Sequence, residues 1–133
     1  MAQGRKDNDA FFLGAVGLLA WAVPGGGHFL LNERRRAIVI FVTVVLTFVV
    51  GLYVGSVGAI DPVNAKPWYV AQLMNSPIVF FLGQISTSGH FPVYGRAGEI
   101  GQIYTSIAGL LNLLCIVNAV YTAHLRGLKE ARA

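Results

Sequence analysis

Long uncharged runs alternate with short polar joints along this chain. Positions 10–32, 37–60, 67–95 and 100–125 contain no Asp, Glu, Lys or Arg, and the joints at 33–36, 61–66 and 96–99 carry the interior charges. Each run exceeds the roughly 20 residues that a helix needs to cross about 30 Å of hydrocarbon. The pattern predicts a single-domain, all-α integral membrane protein with about four membrane-embedded helices. Its parts are a polar tail at 1–10, segments at 11–32, 37–60, 67–89 and 101–125, and a basic tail at 126–133.

The four segments differ in regularity. The second is dense in Val, Ile, Leu and Phe and has no proline. In the fourth, Tyr104 and Tyr121 are spaced by about 26 Å of helix, close to the separation of the two interfacial aromatic belts. The first is interrupted at Pro24-Gly25-Gly26-Gly27, where proline removes a donor and glycine costs backbone entropy. The third is interrupted at Pro77, after Asn75 and Ser76, and diluted by Gly83, Gln84, Ser86, Ser88 and Gly89. Both read as kinked helices or half-spans, whose irregular backbone needs protein or water to satisfy it.

Topology sets two expectations against each other. Four full spans would put Arg34, Arg35 and Arg36 on the side opposite the tails, which carry Arg5, Lys6, Arg126, Lys129 and Arg132, although basic residues collect on one side. Re-entrant first and third segments would bring these groups together. Segment length favours four full spans, and that is the expected architecture. The first segment ends in an Ala20-Trp21-Ala22 pattern like a signal cleavage site, but Asp7 and Asp9 interrupt its basic region, so an uncleaved segment is expected.

Two rows of small residues predict where helices meet. Thr43, Thr47, Gly51, Gly55 and Ala59 recur every fourth position, including a GxxxG pair. Gly101, Thr105, Ala108, Asn112, Cys115, Ala119 and Thr122 alternate steps of four and three, the period of a left-handed helix pair. The second and fourth segments are expected to pack through these rows, with Gly51 and Gly55 near Ala108 and Asn112.

Composition agrees with a lipid environment: charged residues make up 12% of the chain, hydrophobic residues 55%, and there are 16 glycines. The net charge of +4 is clustered at the ends of apolar runs. That placement suits anionic headgroups, with Arg34, Arg35 and Arg36 as the contact, and excludes the face-wide basic patch of a nucleic-acid binder. Expected partners are therefore lipid and other membrane subunits.

Candidate chemistry is sparse. Cys115 is the only cysteine, so no internal disulfide is possible. His28, His90 and His124 have no metal-ligand spacing and are expected to sit near segment ends where water is available. All six carboxylates lie outside the apolar runs, and Ser86 and Ser88 near His90 lack an acid partner. Gly95-x-x-Gly98-x-x-Gly101 has no phosphate-loop lysine and reads as a flexible joint. Neither a catalytic site nor a cofactor or metal is expected.

Pro24-Gly25-Gly26-Gly27-His28-Phe29-Leu30-Leu31, followed by Arg36 and the apolar run from Ala37, resembles the glycine-rich turn of the two-transmembrane-helix domain family, with Leu30 and Asn32 where that pattern has tyrosine and glycine. The resemblance covers roughly residues 11–58. It implies a helical hairpin in a membrane, with Pro24, Gly25, Gly27, His28 and Phe29 as a structural turn, and no enzymatic activity. Around Ala108 to Asn112 the later half is similar to small bacterial membrane proteins with this turn, which implies the bacterial inner membrane. The expected function is a non-catalytic accessory or scaffold subunit of a larger membrane assembly, such as a respiratory or photosynthetic complex. A small oligomeric transporter or channel is the alternative, and a haem protein or membrane enzyme using the histidines comes third.

Overall fold

The computed structural model describes residues 2–89, 91 and 95–133, and they are helical with no strand. In order the helices are α1 (Ala2–Ala22), α2 (Gly26–Leu30), α3 (Arg34–Gly55), α4 (Lys66–Leu73), α5 (Ile78–Ser88) and α6 (Arg96–Arg132), with a 3-10 turn at Val57–Ala59. Two of them, α3 and α6, are long and apolar enough to cross a membrane. The polar stretch expected as an N-terminal tail is the first part of α1.

The long helices α3 and α6 form the frame and run antiparallel. Gly55 meets Gly101 and Ala97, and one turn earlier Gly51 meets Thr105. Around this frame the chain makes two hairpins. Val16 packs with Ala119 and Ala123, and Ala20 reaches the level of Asn112, midway between Gly101 and Ala123. There the chain turns back: Gly27 touches Ala119, and Leu31 accepts a hydrogen bond from Arg126. The second hairpin comes from the other end. Trp68 lies beside Ser106, Ala71 beside Gly109, and Met74 and Asn75 beside Asn112, before α5 returns with Gly83 against Tyr69.

The first and third apolar segments therefore do not run from end to end. Four full-length helices were expected from segment length, but length cannot distinguish one helix from a folded pair. Backbone chemistry makes the turns. Pro24 ends the continuity of α1, and Gly25 takes φ 83 with its Cα against the Ala37 carbonyl, so any side chain there would clash. Asn75, Ser76 and Pro77 form the second turn, with Pro77 leading into α5. Between α2 and α3, Asn32 takes φ 60. Asparagine tolerates this left-handed conformation better than most residues with a side chain.

The hairpin geometry gathers the charges. Eight of the ten Lys and Arg residues, with Asp7, Asp9, Glu33 and Glu130, lie in the half where α1 and α3 begin and α6 ends. Asp61, Lys66, Arg96 and Glu99 lie in the other half and cancel. Glu33 ties the basic end together through Arg126 at 2.6 Å and Arg36 at 3.2 Å. The triplet and both ends of the chain thus share one end of the bundle.

Candidate functional site

The centre of the molecule is where the hairpin tips meet. Asn112, fully buried, points its Nδ2 at three backbone carbonyls: Ala20 at 3.3 Å, Met74 at 3.0 Å and Asn75 at 2.9 Å. Two more bonds join the tips directly. Trp21 Nε1 donates to the Leu73 carbonyl at 2.9 Å, and Ser76 Oγ donates to the Ala22 carbonyl at 3.2 Å. Each broken helix leaves carbonyls without intrahelical donors, and side chains of the facing elements supply donors. Asn112 thus links the hairpins, rather than meeting Gly51 or Gly55 as expected from the small-residue rows.

A second polar group lies in the half whose charges cancel. Gln72, fully buried, donates from Nε2 to the Ala59 carbonyl at 3.1 Å and to Thr105 Oγ1 at 2.8 Å, fixing the 3-10 turn between α4 and α6. Ser106 Oγ donates to the Trp68 carbonyl. Among the described residues, the buried polar atoms Gln72 Oε1, Asn75 Oδ1, Asn112 Oδ1 and His28 Nδ1 have no hydrogen-bond partner. They are the atoms available to water or to a ligand's donors.

The predicted packing residues divide. Gly51, Gly55, Ala59, Thr105, Ala108, Asn112 and Ala119 are buried; Cys115 and Thr47 are half-buried, and Thr43 is exposed. A Cβ on Gly55 would lie 2.7 Å from Gly101 Cα, and one on Gly51 would lie 2.9 Å from Thr105 N. Above Gly51 the contact row on α3 is Phe48, Val44 and Ala37 instead of Thr47 and Thr43. A step of four residues turns about 400°, so a strict four-residue ladder drifts about 40° per step off a straight interface. Thr47 accordingly bonds the Thr43 carbonyl within its own helix. Gly98 and Gly101, read as part of a flexible joint, are buried in the first turns of α6.

His28 is also corrected. It is 2% exposed, with Nε2 at 3.1 Å from Asn118 Oδ1, whereas solvent access was expected. His124 is exposed, and His90 lies outside the described residues. Among the described residues no three of His, Cys, Asp and Glu come together as a metal site.

Sequence reasoning missed Trp21, Gln72, Asn75 and Ser76. One available signal was the polarity of Gln72 and Asn75 in the middle of an uncharged run. Another was repetition: Gly27-His28-Phe29 with Arg34, at the start of α3, recurs as Gly89-His90-Phe91 with Arg96, at the start of α6. The chain is a hairpin and a long helix, followed by a second hairpin and a long helix of opposite direction.

Along the flank of the first hairpin runs an open apolar groove of about 330 Å³ between its tip and α3. Leu19, Val23 and Pro24 form one wall, Ile38 and Phe41 the other, and Phe29 stands at its basic end. The Arg34 guanidinium lies 6.0 Å from the centre of the Phe29 ring.

No curated protein and no solved structure matches the chain. A sequence model described as a family of unknown function, DUF6677, matches residues 15–130, most of the chain from within α1 to near the end of α6. The chain therefore belongs to the DUF6677 family.

Proposed function

We propose that this protein is a bacterial inner-membrane protein, with α3 and α6 spanning the bilayer and the two hairpins entering from opposite faces. Its proposed role is a non-catalytic accessory or scaffold subunit of a larger membrane assembly. The observation that carries the reading is the closed centre. Asn112, Ser76 and Trp21 satisfy the carbonyls of the broken helices from within the chain, while apolar side chains face outward. Leu114 is 67% exposed, Phe81 65%, Val39 64% and Leu46 63%. Surface of this kind suits lipid and neighbouring helices. The turn at Gly25 to Phe29 is read as a relative of the two-transmembrane-helix domain turn.

Extraction in a mild detergent, followed by native sizing and mass spectrometry of the copurifying chains, tests the role. The expected result is a defined assembly containing other membrane polypeptides, and a homogeneous lone monomer overturns it. A small oligomeric transporter is the second reading, favoured by one observation. Paired broken hairpins of opposite direction bring unpartnered amide oxygens to mid-depth, as at the binding sites of inverted-repeat transporters. Solute flux into vesicles containing only this chain would decide for it.

A further inference from the structure

The groove beside the first hairpin has a gradient of chemistry along its length. On α3, Arg34, Ala37, Ile38 and Phe41 stand at spacings of three and four and so form one row on one face. Ala37, Ile38 and Phe41 line the groove, and Arg34 heads the row over Phe29. From Arg34 to Phe41 the row descends about 10 Å at 1.5 Å per residue. At the other end are Val23 and Pro24, next to the central junction.

The charges at the mouth are not interchangeable. Arg36 and Arg126 are both paired with Glu33. Arg34 and Arg35 have no carboxylate partner among the described residues, and only Arg34 shares the row of the groove. A slot that is apolar towards mid-depth and headed by an unpaired guanidinium fits a molecule with an anionic head and a hydrocarbon tail. Arginine favours phosphate because its planar donors engage two oxygens at once.

We propose that the groove holds one acyl chain of an anionic phospholipid, with the phosphate on Arg34. The inference depends on the membrane location proposed above, although not on the accessory-subunit role. Bound in this way, the lipid covers Ile38 and Phe41 and extends the hydrophobic surface of the first hairpin to its tip.

The test uses the full chain in nanodiscs made either of phosphatidylglycerol or of phosphatidylcholine, released for native mass spectrometry. The expected result is one phosphatidylglycerol retained per chain in preference to phosphatidylcholine. Arg34→Gln should lower that preference by roughly fivefold, the factor carried by about 1 kcal/mol for one basic group at an anionic surface. Lys129→Gln removes the same charge away from the groove and should leave the preference unchanged. Ile38→Trp, at an outward-facing position, should fill the slot and abolish retention of either lipid. Equal retention of both lipids, equal effects of the two charge substitutions, or a two-copy species lost in Ile38→Trp would overturn the proposal. The last result would make a second copy the occupant. Resistance of the chain to alkaline carbonate extraction is read in parallel: a chain that stays in the membrane but retains no lipid sinks this inference alone, and a chain that is released sinks the membrane location too.

Discussion

Replacing Asn112 by Leu would strand the carbonyls of Ala20, Met74 and Asn75 in a buried site. Bonds between membrane helices average only about 0.6 kcal/mol, but a buried group left unpaired costs roughly 1–3 kcal/mol. The second effect governs here because one side chain serves three acceptors from both hairpins. Asn112→Leu should therefore lower stability by about 2 kcal/mol in a detergent unfolding titration. Asp61 gives a prediction in pH. Its partial burial raises the carboxyl's pKa, but the backbone N–H and side chain of Asn64 and the N–H of Val63 outweigh that and hold it below its ordinary value. A lowered folded pKa contributes stability above the unfolded value of about 3.9, and that stability is lost as pH falls through the folded value. The melting-temperature difference between the wild type and Asp61→Asn should be small at neutral pH, because the group is near the surface, and should vanish in acid.

Between elements, α3 and α6 approach backbone to backbone at Gly55 and Gly101. Gly55→Val must push a side chain against backbone, which cannot give way as a flexible side chain can, so a loss of about 1–3 kcal/mol is expected. Gly127→Ala makes the useful contrast. Nothing lies within 4 Å of a Cβ there, and the change should stabilise α6 by up to about 1 kcal/mol through helix propensity. Parallel thermal unfolding of the two variants checks the opposite signs. The sequence made the helical class, the two long helices and the Gly51–Gly55 contact legible, because apolar length and small-residue spacing are local properties. It also marked Pro24 and Pro77 as breaks. Its charge clusters raised re-entrant first and third segments as the alternative, but they could not decide for it against segment length, because each reversal depends on donors such as Asn112, Trp21 and Ser76, which come from other parts of the chain. Thr43 shows the converse: its spacing suited the ladder, but the ladder drifted around the helix.

At the scale of the molecule, the hairpin arrangement makes a topological prediction that four full spans do not. In a Cys115→Ser background, Asn32→Cys and Ala133→Cys should react with an impermeant thiol reagent from the same side of sealed vesicles, and Asn64→Cys from the other. Labelling of positions 32 and 133 from opposite sides would restore four spans. The distribution of charge also bears on how the chain enters a membrane. With the basic end kept on the cytoplasmic side, as basic residues prefer, the portion carried across holds Asp61, Lys66, Arg96 and Glu99, and its net charge is zero. Moving one elementary charge through 100 mV involves about 2.3 kcal/mol of electrical work. Four spans would drag the arginine triplet through that field, whereas the paired hairpins let the chain assemble with almost no electrical work, so its insertion should proceed at nearly the same rate in energised and de-energised membranes.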